Sequence, residues 1–370
     1  MIARAWVGLN PARVLDVHVH VLGTGTGGTG CFIGPRMSSL LRPIDYLKFS
    51  MYEQASGISD SAHTDAQYID RLVGLIKSQS PHGRALLFAF DKLHDAEGNA
   101  DIQSSEFFTP NAYVLELAAT YPDLFVPCAS VHPYRPDAVH ALTAAVEGGA
   151  VAVKWLPTAM NIDPSSPKCD PFYAAMKSLK VPLISHAGEE KAVHAEERQR
   201  LGNPLLLRRP LEQGVKVVVA HCASLGQNPD LDAPEANRPW VDNFDLFTRL
   251  MAERRWEGLL FGEVSAMTIV NRIGKPLERV LRDKVLQQRL MNGSDYPLPA
   301  LNVLMQTGAV EKEGLITADE RVLLNEIDQH DSLLMDFVMK RTLRVRENGV
   351  EHRLADDVFT LRTDVFERLT

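Results

Sequence analysis

Eight short apolar runs recur along the chain, and each stops at a polar or charged residue. They occupy residues 14–20, 85–91, 124–132, 150–154, 181–186, 215–221, 258–263 and 289–295. Their β-branched, nearly continuous apolar character reads as strands covered on both faces, as in a parallel sheet. From the fourth run onward the closing residues are Lys154, His186, His221, Glu263 and Asp295, spaced by 32, 35, 42 and 32 residues. A strand–helix–strand unit needs about 30 residues or more, so each gap has room for a helix. The gaps carry the matching periodicity. Phe172, Met176 and Leu179 mark a helix over 171–180, and Phe244, Phe247, Leu250 and Met251 one over 242–254. Leu277, Val280, Leu281 and Val285 mark a third over 275–286. Eight strand–helix repeats predict an α/β fold, a (β/α)8 TIM barrel, more readily than an open sheet.

Two segments interrupt the repeat. Residues 22–83 are too long for one loop and helix, so they predict an extended first connection with helices of its own. After Asp295 the chain reads as helical over 318–343. Asn348-Gly349 then signals a two-residue hairpin within 344–353. The expected division is a barrel over 1–305 and a C-terminal helical and hairpin extension, 306–370, packed on it.

Composition narrows the class. The chain has 370 residues, 45% hydrophobic and 23% charged, which excludes a disordered, collagen-like or coiled-coil protein. A net charge of −8 argues against nucleic acid and anionic membrane as partners. The four cysteines form no C-x-x-C pair, so neither a disulfide framework nor a thiolate zinc site is expected. No stretch reaches the ~18 apolar residues of a membrane helix, and the first residues lack a signal-peptide run. The expectation is a cytoplasmic protein with a small-molecule substrate. A homo-oligomer is left open.

The chemistry lies at the strand ends. His18 and His20 are two residues apart, so they share a strand face with Asp16, while Val17, Val19 and Val21 share the other. Such a pair is either two ordinary strand histidines or a ready set of neutral nitrogen ligands. A barrel gathers its C-terminal strand ends around one mouth, where active sites sit. That would bring Lys154, His186, His221 and Asp295 to the same place, a donor set suited to a divalent metal.

The ordered set Asp16-Val17-His18-Val19-His20, Val153-Lys154, Ser185-His186-Ala187-Gly188, Ala220-His221-Cys222 and Gly293-Ser294-Asp295-Tyr296-Pro297 resembles the amidohydrolase superfamily. The last motif is similar to that of the second amidohydrolase family, which includes aminocarboxymuconate-semialdehyde decarboxylase and related lactonases. The resemblance runs over about residues 12–300. It implies metal ligation by His18, His20, His186, His221 and Asp295, with one or two ions. Zinc is the expected metal, with manganese or iron as alternatives. At Lys154 it implies a fork. A carbamate formed with carbon dioxide would bridge two metals, whereas an unmodified lysine would bind a substrate carboxylate; a structural salt bridge is the plain alternative. The implied reaction is hydrolysis of an amide, cyclic amide, ester or lactone by activated water, with Asp295 accepting the proton. A mononuclear decarboxylase or lactonase of a small carboxylate is the runner-up.

Other residues carry weaker expectations. Glu263 either contacts substrate or supports a ligand, and Asp16 orients His18 or pairs in the barrel floor. His132 reads as a turn residue, Asp91-Lys92 as a surface pair and Glu189-Glu190 as a helix start. Gly25, Gly27 and Gly30 match G-x-G-x-x-G after a strand, the one hook for a dinucleotide-binding oxidoreductase. The chain then continues Cys31-Phe32-Ile33-Gly34-Pro35, a poor helix start, so a mobile loop over the mouth is preferred. A non-catalytic binding barrel is the remaining alternative, and the intact ligand set speaks against it.

Overall fold

The computed structural model describes residues 1–35, 57–191 and 196–369. All eight expected strands form, and all run parallel. Strands β1 (Leu15–His20), β2 (Arg84–Phe88) and β3 (Phe125–Cys128) make one arc. Strands β4 (Val153–Trp155), β5 (Leu183–Ser185), β6 (Val217–Val219), β7 (Leu260–Glu263) and β8 (Leu290–Met291) make the other. Single parallel bridges join the arcs, Ala129 with Val153 and Val19 with Tyr296. At the first seam Lys154 N donates to Ala129 O at 2.7 Å; at the second Asp295 N donates to His18 O at 2.8 Å. The architecture is a (β/α)8 TIM barrel.

The strands are apolar on both sides because both sides are covered. Leu15, Val17, Leu86, Phe88, Val126, Ile184, Val218, Phe261 and Met291 pack together in the lumen. Their alternates, among them Val153, Leu183, Val217, Val219, Leu260 and Leu290, pack against the helices. Each large side chain so buried is worth about 1.5–3 kcal/mol relative to exposure.

The helical periodicity holds with two exceptions. Asp170–Leu179 and Asn243–Ala252 form as expected, burying Phe172 and Met176, and Phe244, Phe247, Leu250 and Met251. The segment expected over 275–286 breaks into Lys275–Arg282 and a short turn, Lys284–Gln287. Asp283 accepts from Leu286 N, which starts a new turn and leaves Val285 69% exposed. Residues 318–343 divide the same way, into Ala318–Asp328 and Ser332–Thr342. Here Asp331 caps the second helix by accepting from Leu334 N at 2.9 Å. The hairpin pairs Val345–Glu347 with Val350–His352, with φ of 51° at Asn348 and 79° at Gly349, as a type I′ turn requires.

In the first connection a helix spans Thr64–Ser78. Any expected helix within 36–56 lies outside the described residues. The glycine-rich segment does not open a helix; it makes a three-residue turn, Thr26–Gly28. Asp65 ties it down, accepting from Thr24 N at 2.7 Å, Gly25 N at 3.1 Å and Thr26 Oγ1 at 3.0 Å, and also from Thr29 Oγ1. A Cβ at Gly23 would collide with the same carboxylate. The dinucleotide reading has no structural footing here, because its glycine turn must open onto a helix N-terminus.

One expectation about β1 is corrected. Its pairing with β2 slips between Asp16 and Val19, so strict alternation fails. Val17 joins the lumen with Leu15, and Val19 turns toward the helices. Asp16 does not share the lumen face of His18. Its Oδ1 accepts from His18 N at 3.0 Å and Ser294 N at 2.8 Å, so it ties β1 to the segment after β8.

Candidate metal centre

The six residues expected at the site converge. His18 and His20 lie at the end of β1, Lys154 lies within β4, and His186, His221 and Asp295 follow β5, β6 and β8. Nε2 of His18 and Nε2 of His20 are 3.2 Å apart. Asp295 Oδ1 is 3.1 Å from each. Its Oδ2 lies 3.7 Å from His221 Nε2. The His221 ring stacks on His18 with centroids 4.9 Å apart and meets His186 edge-on at 5.4 Å. Lys154 Nζ sits 3.3 Å from His18 Nε2 and 4.6 Å from the centre of the Phe88 ring. Among the described residues no carboxylate lies within ion-pair distance of that Nζ, so the salt-bridge reading of Lys154 is not what the fold shows.

Supporting contacts fix which nitrogens face the centre. His18 Nδ1 is 3.0 Å from Glu263 Oε1, and His221 Nδ1 is 3.1 Å from the Ser265 carbonyl. Both partners only accept, so both Nδ1 atoms carry a proton and both Nε2 atoms face the centre. There they meet the Asp295 carboxylate, itself an acceptor. Such acceptors repel one another unless a metal ion or an added proton lies among them. Two ligand atoms about 2.1 Å from one ion sit about 3.0 Å apart at a right angle and about 3.4 Å apart at a tetrahedral one. The His18–His20–Asp295 triangle falls between those values. His186 Nε2 is buried and has no hydrogen-bond partner among the described residues, with Glu190 Oε2 at 3.5 Å. This donor set fits a divalent metal.

The electrostatics agree. Desolvation pushes the His20 pKa down to about 4 and that of His221 to about 3. Burial, with His221 beside it, holds His186 well below its usual value. All three are therefore neutral at physiological pH and free to ligate. Burial and Lys154 oppose protonation of His18, yet Asp295 and Glu263 outweigh them and raise its pKa. Burial alone would raise Asp295; the imidazoles of His18 and His221 against it hold it well below the carboxylate range. Desolvation lowers the Lys154 pKa, which favours the neutral amine.

The local backbone is strained at the same places. His221, Cys222 and Ala223 have φ of 55°, 50° and 50°, and Asp295 has 63°. Left-handed non-glycine residues cost about 1–2 kcal/mol each and cluster at functional sites. Glu263 helps hold this geometry. It is fully buried, and its Oε1 accepts from His221 N at 2.7 Å while Oε2 accepts from Ser265 N at 2.6 Å. Glu263 is thus a positioning residue between two imidazoles.

Two residues at the site were missed by sequence reasoning. Ser265 Oγ lies 2.8 Å from both His221 Nδ1 and Glu263 Oε1; its place two residues after Glu263 was the available signal. Arg272 is buried, donates from Nη1 to Ser224 Oγ at 3.2 Å, and among the described residues leaves Nε without a hydrogen-bond partner. Burial lowers its pKa, while Glu190 and Asp295 favour its charge. No sequence signal marked it.

Several weaker expectations change. Asp91 is buried rather than on the surface, and pairs with Arg135 Nη1 at 2.8 Å instead of with Lys92. No helix begins at Glu189-Glu190 among the described residues; Glu190 faces His186 instead. His132 is fully buried, with Nε2 2.9 Å from Met160 O and Nδ1 accepting from Tyr134 N at 3.2 Å. Only the neutral ring satisfies both contacts, and desolvation, with the tilted His94 ring 4.5 Å away, takes its pKa down to about 3. The unfolded ring titrates near 6.5. The contribution of His132 to stability is therefore complete above about pH 6.5 and is lost as pH falls toward 3, at up to about 1.4 kcal/mol per pH unit. Denaturant titrations of metal-free protein from pH 7 to 4 should show a shallower pH slope in His132→Gln than in wild type. Equal slopes would contradict this assignment.

The sequence profile of a family described as amidohydrolase matches residues 15–321. This chain belongs to the amidohydrolase-2 family. Its members are enzymes, typically metal-dependent. Among curated proteins none matches the chain in sequence. Among solved structures, an uncharacterised TIM-barrel protein from Bordetella bronchiseptica has a TM-score of 0.52 and 15% identity, over 87% of this chain and 99% of its own. A 2,6-dihydroxybenzoate decarboxylase from Rhizobium has a TM-score of 0.44 and 12% identity, over 89% and 99%. A 4-oxalomesaconate hydratase from Rhodopseudomonas palustris has 0.43 and 13%, over 89% and 97%. No helix among the described residues is long and apolar enough to cross a membrane.

Proposed function

We propose that this amidohydrolase is a metal-dependent hydrolase of a small carboxylate-bearing substrate, cleaving an amide, cyclic amide, ester or lactone bond. The convergence of His18 Nε2, His20 Nε2 and Asp295 Oδ1 to 3.1–3.2 Å carries this reading. His18, His20 and Asp295 would hold one ion, and His186 and His221 a second, with carbamylated Lys154 between them. Zinc suits a set dominated by imidazoles. When bound, such an ion acidifies water and polarises a carbonyl group.

The chain's own groups supply the rest. Asp295 uses Oδ1 toward His18 and His20, which leaves Oδ2, on the His221 side, to take a proton from the attacking water and return it to the leaving group. Arg272, a buried cation with an unengaged Nε, supports a substrate carboxylate beside His186 and His221. The buried amine of Lys154, lacking a carboxylate partner, supports the carbamate. Its neutral nitrogen adds to carbon dioxide, forming one N–C bond and releasing one proton, and so gains an anionic oxygen pair. The second reading keeps Lys154 unmodified with a single ion, and decarboxylates or opens a lactone of a small carboxylate. Arg272 serves it equally well.

The test joins elemental analysis of purified protein to turnover on a panel of esters, lactones, cyclic amides and carboxylic acids. Stoichiometric metal, hydrolysis abolished by chelation, and an Arg272→Gln variant with KM raised about tenfold or more for anionic substrates only are expected. Hydrolysis that persists after the metal is removed would overturn the proposal.

A further inference from the structure

A second concavity, of about 370 Å³, lies outside the metal centre, between the N-terminal turn, the end of helix Ser332–Thr342 and the C-terminal hairpin. Five arginines line it: Arg4, Arg341, Arg344, Arg346 and Arg353. The lining carboxylates are Glu320 and Glu351. In a chain of net charge −8 this is a local reversal of sign.

The ion pairs do not balance it. Glu320 is taken by Arg344 at 2.8 Å and by the cap of its own helix. Glu351 is divided between Arg346 at 3.0 Å and Arg353 at 2.8 Å, with Arg344 at 3.7 Å. Asp356, outside the lining, takes Arg341 at 2.6 Å. Three carboxylates therefore serve five guanidinium groups, and two positive charges are in excess. Among the described residues the Arg4 guanidinium has no hydrogen-bond or ion-pair partner.

Helix capping accounts for only part of the cluster. Arg344 and Arg353 both donate to Thr342 O, at 3.2 and 2.8 Å, as basic side chains do at a helix C-terminus. Arg341 donates to Ala5 O and Val7 O, at 2.8 Å each. Neither role involves Arg4 or Arg346. These carbonyl contacts do, however, hold three guanidinium forks in place before any ligand arrives, which reduces the ordering cost of binding.

We propose that this pocket binds a small phosphate-type oxyanion with two or more negative charges. Guanidinium groups approach the cavity from three separate elements. A planar carboxylate is gripped mainly in one plane, whereas a tetrahedral phosphate offers oxygens on every side. The concavity is of small-ligand size, and the negative charge of the rest of the chain disfavours a long polyanion such as nucleic acid.

Calorimetric titration of the metal-loaded protein with inorganic diphosphate tests this, with citrate and a single-stranded oligonucleotide as comparison arms. Diphosphate should bind once per chain at this pocket and about tenfold tighter than citrate, and weaken as salt rises. In Arg4→Gln/Arg346→Gln its affinity should fall about tenfold or more. Both side chains are exposed, Arg346 by 67%, so this variant spares the core. A milder Arg346→Lys variant, which keeps the charge and loses the fork, should fall in between. Diphosphate held at the metal centre alone would bind the double variant as tightly as wild type, and that result would overturn the proposal. So would no binding, or a preference for citrate or the oligonucleotide. None of these outcomes bears on the hydrolase reading, which is judged by metal content and turnover.

Discussion

Lys154→Ala is expected to fold, to bind fewer than one metal ion per chain where two are expected in wild type, and to lose about a hundredfold or more of its activity. The wild-type count should depend on bicarbonate during expression or reconstitution. A short carboxylic acid should restore part of the variant's activity by taking the bridging position. The metal-free variant should lose at most about 2–5 kcal/mol of stability, the cost of deleting a long side chain from a packed site. Elemental analysis and mass spectrometry of the intact chain check the outcome. One metal in both proteins, no bicarbonate dependence and a raised KM for an anionic substrate would favour the mononuclear reading instead.

Asp295→Asn should cut kcat by about 10²–10⁴-fold and leave most of the metal in place. Asparagine tolerates the left-handed φ of 63° at this position better than most residues, so the backbone is not asked to move. The amide keeps an oxygen where Oδ1 faces His18 and His20, but it cannot take a proton as Oδ2 can. Steady-state kinetics and metal analysis on the same preparation separate the two roles. Normal turnover with a full metal complement would leave Asp295 as a ligand alone.

The barrel was readable because a strand covered on both faces must be apolar nearly throughout, and each run then stops at the polar residue that reaches the mouth. His18, His20, Lys154, His186, His221 and Asp295 stood out for that reason. Glu263 also ends a run, but its engagement by the His18 ring and the His221 amide depends on three strands meeting and has no one-dimensional trace. Asp16 was misplaced because alternation assumes an unbroken ladder, and the slip between β1 and β2 breaks it. Arg272 was invisible because its inward turn is set by the loop after β7, whose path no local periodicity encodes. The divided helices show local side-chain chemistry overriding periodicity: Asp283 and Asp331 each offer an acceptor to a backbone N–H ahead of them, and the helix restarts there.

Each seam between the two arcs carries one bridge and three backbone hydrogen bonds. Lys154 stands at one seam, and His18 and Asp295 face each other across the other. An ion shared by these residues would add a clasp across the hoop, tying side chains of the same segments that these backbone bonds join. Loading the site would then also brace the ring, the binding energy of the ion adding to the folding energy of the barrel. Whatever pries the seam open would then also disarm the site, so that catalysis and mechanical integrity would fail together.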